Sequence, residues 1–286
     1  MKILVTGANG QLGYDVCRIL SARGINHCGV DLSDFDITDC AAVEAYLSDS
    51  RPDAVIHCSA YTAVDLAEDD SARCFAVNAD GTLHLARAAA ALGAKFLYVS
   101  TDYVFPGNGE VFYEPDDPTG PLSVYGRSKQ LGETYVRKTL DEHFIVRISW
   151  TFGINGKNFV KTMLRLAETK SELSVVCDQI GSPTYTYDLA RLLCDMIVTD
   201  RYGTYHATNE GVCSWAEFAA EIMRQSRKET RIRPIPSSQY PTRAIRPLNS
   251  RLSKDKLTEN GFFRLPDWKD ALARFLKENE ALTPHA

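Results

Sequence analysis

Residues 1–150 predict an α/β domain built on a doubly wound parallel sheet, and residues 151–286 predict mainly a smaller C-terminal lobe. Three observations carry this. Short apolar runs rich in β-branched residues alternate with longer segments of helical character. The runs are apolar along both faces, as in strands covered by helices on both sides. A glycine-rich stretch joins the first run to the first helical segment, where open parallel sheets bind ligands.

The runs are KILVTG (2–7), INHCGVD (25–31), DAVIHCSA (53–60), KFLYVST (95–101) and FIVRISW (144–150). Helical segments fall at 11–23, 39–50, 71–93 and 125–142, so right-handed crossovers generate the sheet. Beyond Trp150 the alternation loosens. Helices are expected over 155–170 and 187–198, and GTYHATN (203–209) reads as a strand returning to the sheet, so 187–209 belongs with the first domain. SWAEFAAEIMRQS is a helix that Ser214 caps, with Glu217 completing a capping box. A Pro-rich stretch, 232–253, precedes a last amphipathic helix over 268–280, and the tail LTPHA is expected to be disordered.

The chain of 286 residues carries a net charge of −5, which argues against general nucleic-acid binding. No apolar run approaches the roughly 20 residues of a membrane span, and the N-terminus reads as a first strand rather than a signal, so a cytoplasmic protein is expected. Eight Cys show no Cys-x-x-Cys, and six His show no His-x-x-x-His, so reduced thiols and no metal site are expected.

The first strand runs into Thr-Gly-Ala-Asn-Gly-Gln-Leu-Gly, with Gly7, Gly10 and Gly13 at three-residue spacing and Asn9, Gln11 and Leu12 between them. Small residues let the backbone approach a pyrophosphate, and a helix start supplies N–H groups. This is a Rossmann-like, dinucleotide-binding reading. Asp31 ends the second strand, placed to accept from an adenosine ribose 2′-hydroxyl. Its charge would repel a 2′-phosphate and tilts the choice toward NADH over NADPH.

The fourth strand ends at Thr101, and Tyr125-x-x-x-Lys129 follows on a helix, where residues four apart share a face. With thirteen Tyr in the chain the Tyr/Lys spacing alone decides little. Its meaning comes from conjunction with the glycine loop, Asp31 and Thr101. Reduction of a carbonyl needs a weak acid, a cation to lower the pKa of that acid, and a hydroxyl to orient the carbonyl oxygen. Tyr125, Lys129 and Thr101 supply these in that order.

The Thr-Gly-x-x-Gly form resembles the extended branch of the short-chain dehydrogenase/reductase superfamily. Within it the chain is similar to the dTDP-4-dehydrorhamnose reductase family. The likeness spans nearly the whole chain: TGANGQLG, SAYTAVDLAEDD (59–70), NADG (78–81), STDYVFPG (100–107), YGRSK, RISWTFG (147–153), GSPTYTYDLA (181–190) and RPLNSRLS (246–253). The resemblance implies an NAD(P)H-dependent reduction of the C4 keto group of dTDP-4-dehydro-L-rhamnose, a step toward cell-surface polysaccharide. It implies that Thr101, Tyr125 and Lys129 are catalytic and that Tyr103 and Trp150 line the sugar pocket. Asp36 and Ile37 then contact adenine, and Ala60, Tyr61 and Thr62 border the cofactor. The basic, Pro-rich segment is expected to meet the substrate diphosphate, with Arg246 and Asn249 as substrate residues and Arg243 and Arg251 as further cations.

Related dehydratases carry Thr-Asp-Glu where this chain has Thr101-Asp102-Tyr103, so dehydration is not expected. Another nucleotide-sugar 4-ketoreductase, a 4-epimerase, and a regulatory subunit of the methionine adenosyltransferase type remain open readings. Relatives form dimers bridged by magnesium. Asp15 and Asp188 fall near such acids without a third, so a homodimer is an expectation and a metal is not.

Overall fold

The computed structural model describes residues 1–282; the rest of the LTPHA tail lies outside the described residues. Six strands form one fully parallel sheet: β1 (Ile3–Thr6), β2 (His27–Val30), β3 (Ala54–His57), β4 (Lys95–Thr101), β5 (His143–Ile148) and β6 (Gly203–His206). Their order is β6-β5-β4-β3-β1-β2, so the chain reverses its direction of growth between β1 and β3. That reversal opens a crevice at the carboxyl ends of the strands. The returning strand β6 pairs with β5, Gly203 opposite Phe144 through His206 opposite Arg147.

Helices cover both faces. On one side α1 (Gln11–Ala22) packs with a helix at Thr186–Ile197, burying Val16, Leu20, Leu189 and Leu193 against Ile3, Val5 and Ile56. On the other side α2 (Cys40–Ser50), α3 (Gly81–Leu92) and α4 (Val124–Thr139) bury Val43, Leu85 and Val136 against Leu4, Val55 and Phe96. The alternating faces of each strand thus serve two cores, which is why the runs read as apolar throughout.

A separate core lies in the second half. There α5 (Phe159–Leu166), α7 (Trp215–Gln225) and α8 (Trp268–Leu282) bury Phe152, Phe218, Ile222, Leu272 and Phe275; the Thr186–Ile197 helix is α6. Ser214 and Glu217 form the predicted capping box, at 3.1 and 2.7 Å.

One helical expectation changes form. Residues 71–93 are not continuous α-helix, because Ala76–Asp80 widen into a π-turn. The carbonyl of Asn78 there accepts from Thr82 Oγ1 (2.8 Å) and Tyr98 Oη (3.2 Å). The Asn78 side chain clamps the backbone of Tyr61 and donates to Ser128 Oγ at 3.0 Å. Side-chain bonds have replaced part of the helical ladder, which accounts for the bulge.

Candidate active site

The crevice is a cleft of about 860 Å³ above the carboxyl ends of the sheet. Its floor begins with the glycine loop. Gly7 adopts φ +69°, and a Cβ on it would meet Ser59 N at 2.8 Å. A Cβ on Gly13 would lie 2.1 Å from the Gly7 carbonyl oxygen. Both positions therefore require glycine, one for conformation and one for close packing. Gly10 leads into α1 with no side-chain cap, which leaves the first N–H groups of the helix available to an anion. Asn9, Gln11 and Leu12 line the same wall.

Asp31 also lines the cleft. One carboxylate oxygen accepts from Asn9 N at 2.9 Å and the other from Leu32 N at 2.8 Å. The acid thus fastens the glycine loop and keeps lone pairs free for a hydroxyl. Asp36, Ile37, Ala60 and Thr62 line the cleft as well. Tyr61 does not. Its backbone is held by Asn78 and its ring packs near Ala67, Cys74 and Val124, so the clamp turns it away from the cofactor side.

Thr101, Tyr125 and Lys129 come together at the end of β4. Two features of α4 bring this about. Ser123 Oγ accepts from Gly126 N (3.0 Å) and Glu68 Oε1 accepts from Val124 N (2.8 Å), which fixes where the helix starts. Gly126 then lets the first turn press on the Asp102–Val104 turn: a Cβ there would sit 2.3 Å from the Tyr103 carbonyl oxygen. The ring of Tyr125 meets the ring of Tyr103 edge-on at 5.5 Å, and Thr101 Oγ1 accepts from Tyr103 N at 3.2 Å.

Lys129 is buried, donates to the Val99 carbonyl at 2.8 Å, and lies 4.1 Å from the Tyr98 ring centroid. Burial lowers its pKa to about 7, opposed by the charge of Glu133. One turn further along α4, Glu133 is fully buried and takes two 2.8 Å hydrogen bonds from Arg147, plus bonds from Ser100 (2.6 Å) and Arg137 (2.8 Å). Burial pushes the Glu133 carboxyl up, but Arg147, Arg137 and Ser100 outweigh it and hold it below its usual range. Burial raises Tyr125 above its ordinary value, partly countered by the Thr101 hydroxyl.

Tyr103 and Trp150 line the cleft. Trp150 takes a left-handed φ of +50° and stacks on Trp215 at 3.8 Å, nearly parallel. Strain at a non-glycine residue inside a cleft marks a position that the surrounding packing over-determines. Trp215, Gln179, Ser250 and Asp102 complete this wall and were not singled out from sequence. Asp102 had a local signal, its place directly after Thr101, and Ser250 lies within RPLNSRLS.

The basic segment is rearranged relative to expectation. Arg246 donates to Asp65 at 2.7 Å and is not among the residues that line the cleft. Arg243 pairs with Asp69. Asn249 is buried, with its amide on the carbonyls of Asn108 and Val111 and its oxygen on Arg251, so its role in the fold is to clamp loops. Acids supplied by the first domain already engage these cations. Asp15 is held by Thr186 (2.6 Å) and Arg18 (3.1 Å), and Asp188 by Arg274 and Asn209. Among the described residues no group of three potential metal ligands forms, and no helix is long and apolar enough to cross a membrane.

A cleft at the switch point of a parallel sheet, floored by a glycine cradle and carrying Thr, Tyr and Lys at its centre, defines a short-chain dehydrogenase/reductase-type protein. The family model described as "RmlD substrate binding domain" matches residues 1–281. The spore coat polysaccharide biosynthesis protein SpsK of Bacillus subtilis is 41% identical over 280 residues, covering 98% of each chain. A dTDP-4-dehydrorhamnose reductase of Streptomyces griseus is 42% identical over 276 residues, 94% of this chain and 91% of the relative. The crystal structure of dTDP-4-dehydrorhamnose reductase from Bacillus anthracis in complex with NADP superposes with a TM-score of 0.95 at 40% identity, covering 97% of this chain and 99% of that one. The chain belongs to the dTDP-4-dehydrorhamnose reductase family.

Proposed function

We propose that the protein reduces the C4 keto group of dTDP-4-dehydro-L-rhamnose to give dTDP-L-rhamnose, with Thr101, Tyr125 and Lys129 as the catalytic residues. The observation that carries this is their convergence at one end of a cleft whose other end is the glycine cradle. The cradle fits a dinucleotide: glycines at positions 7 and 13 let the loop fold tightly on Ser59 and on itself at the mouth of the cleft, and the start of α1 is uncapped. Asn9 through Gly13, Asp31, Asp36, Ile37, Ala60 and Thr62 would hold it, and Lys129 its ribose. Bound there, a reduced nicotinamide supplies the hydride to the carbonyl carbon.

The chain's own residues do the rest. Thr101 orients the carbonyl oxygen. Tyr125 gives that oxygen its proton, and a phenol whose pKa is raised by burial donates to an alkoxide without losing its proton beforehand. The apolar faces of Trp150 and Trp215 exclude water and cover the sugar. A relative with bound NADP supports NADPH as the reductant, while the carboxylate of Asp31 favours NADH. Eight free cysteines support a reducing, cytoplasmic setting.

Purified protein is incubated with the 4-keto sugar nucleotide and either NADPH or NADH, and the loss of reduced-nicotinamide absorbance is followed. Wild type turns over, and Tyr125→Phe loses about 10²–10⁴-fold in kcat. The rate ratio between the two cofactors assigns the preference. No turnover in protein that still binds dinucleotide rejects this substrate.

A further inference from the structure

The second-lobe wall of the cleft carries a polar side chain that the proposed chemistry does not use. Gln179 lines the cleft and is 7% exposed. Among the described residues its one hydrogen bond runs from Nε2 to Ser237 Oγ at 2.9 Å. Ser237 Oγ in turn donates to Asp178 Oδ1 at 2.6 Å, and Ser237 N reaches both Asp178 oxygens at 2.9 Å. A serine hydroxyl has one proton, and an ionised carboxylate only accepts, so that proton is committed to Asp178. Toward Gln179, Ser237 is left as an acceptor. The amide must therefore keep its NH₂ on Ser237, which fixes its orientation and leaves the carbonyl oxygen Oε1 without a partner among the described residues. An unpaired acceptor on a side chain this buried is unfavourable until a ligand donates to it.

Its place along the cleft selects the donor. Ile180 and Gly181 form a short strand beside Asn249 and Ser250, with Gly181 opposite Ser250. Ser250 Oγ donates to Asp102 Oδ2 at 2.5 Å, and Thr101 Oγ1 donates to Asp102 Oδ1 at 2.9 Å, so Gly181 stands near the catalytic end. A Cβ on Gly181 would lie 2.9 Å from Trp150 Cε2. Residues two apart on an extended run share a face, which sets Gln179 on the Trp150 side about 7 Å further along. A sugar nucleotide with its C4 carbonyl at Thr101 and Tyr125 offers few donors at that reach. The diphosphate oxygens only accept, and the base lies beyond them. The ring hydroxyls of the keto sugar are in range, and each carries a proton.

We propose that Gln179 determines specificity by accepting, through Oε1, a hydrogen bond from a ring hydroxyl of the 4-keto sugar, and that Ser237 and Asp178 hold the amide in that orientation. This rests on the reductase reading given above. The hydroxyl concerned does not react, so the contact is the same before and during hydride transfer and acts on binding rather than on rate. A sugar without that hydroxyl leaves the amide oxygen unpaired, which is how a polar site rejects an analogue.

The test is steady-state kinetics of the full chain with the 4-keto sugar nucleotide and its 2-deoxy and 3-deoxy analogues. Gln179→Met keeps the side-chain length and removes both polar atoms. It raises the sugar KM roughly tenfold, with kcat within a few-fold of wild type. Wild type loses a similar factor on one of the two deoxy analogues, and Gln179→Met is indifferent to that deletion. Ser237→Ala frees the amide and raises the sugar KM a few-fold. The inhibition constant of dTDP and the dinucleotide Kd keep their wild-type values in both variants. An unchanged sugar KM in Gln179→Met, or an equal loss on the deoxy analogues in both proteins, overturns the proposal while leaving the reductase reading intact. A dTDP inhibition constant or dinucleotide Kd that rises with the sugar KM also overturns it, because Oε1 then meets the nucleotide or the cofactor. If Gln179→Met does not fold, Ser237→Ala decides by the same two readings. If wild type turns over the sugar with neither cofactor, the reductase reading itself fails and this proposal with it.

Discussion

The two walls of the cleft are built by different means. The sheet wall, from β4 and α4, holds its functional groups with buried charge: Lys129 on the Val99 carbonyl, Glu133 beneath it, and Arg147 threaded through to Glu133 with 1% exposure. The opposite wall is held by stacking and by single hydrogen bonds across the seam. Trp150 lies on Trp215, and Asn155 donates to the Asn9 carbonyl at 2.6 Å. The wall that carries Thr101, Tyr125 and Lys129 is rigid because a buried ion pair tolerates no loosening. The Trp150 wall is assembled from weaker contacts, each of which can be lost without collapse.

That contrast is breakable, and the largest effect is expected on the rigid side. Glu133→Ala leaves the Arg147 guanidinium buried without its carboxylate and lowers stability by about 3–5 kcal/mol, read as a large fall in the urea midpoint. A loss under about 1 kcal/mol would show that the sheet wall is not held by this pair.

An intermediate effect is expected across the cleft. Trp215→Ala removes the face on which Trp150 stacks and costs about 1–2 kcal/mol of stability. The sugar KM rises roughly tenfold with kcat little changed, which marks lost ground-state binding. A drop in kcat at constant KM would instead place Trp215 in the chemistry.

The smallest effect is expected at the seam. Asn155→Ala removes the bond to the glycine loop at an exposed site and costs about 1 kcal/mol or less. Dinucleotide Kd rises a few-fold, measured by fluorescence titration. An unchanged Kd shows that the seam does not steady the loop.

Legibility followed the same division. The sheet wall could be read because its constraints are local. Gly7 answers to its own positive φ, Gly13 to a backbone clash within the loop, and Tyr125 and Lys129 to one turn of one helix. The π-turn at Ala76–Asp80 escaped because Asn78 is drawn off by Tyr61, Tyr98 and Ser128, partners 17 to 50 residues away. Tyr61 and Asn249 stand in site-like motifs; in the fold the Tyr61 backbone is clamped by Asn78, and Asn249 clamps the loop at Asn108 and Val111.

By itself the sequence determined the alternating strands and helices, the dinucleotide cradle and the spacing of the Thr/Tyr/Lys set, because period, glycine and helical pitch act over a few residues. Only the tertiary structure decided the fate of charge. It set Arg243 and Arg246 against Asp69 and Asp65, pushed Tyr125 up and Lys129 down through burial, and brought Ser250 onto Asp102 across 148 positions. Electrostatic energies depend on distance and dielectric, and neither is defined until the chain has closed on itself.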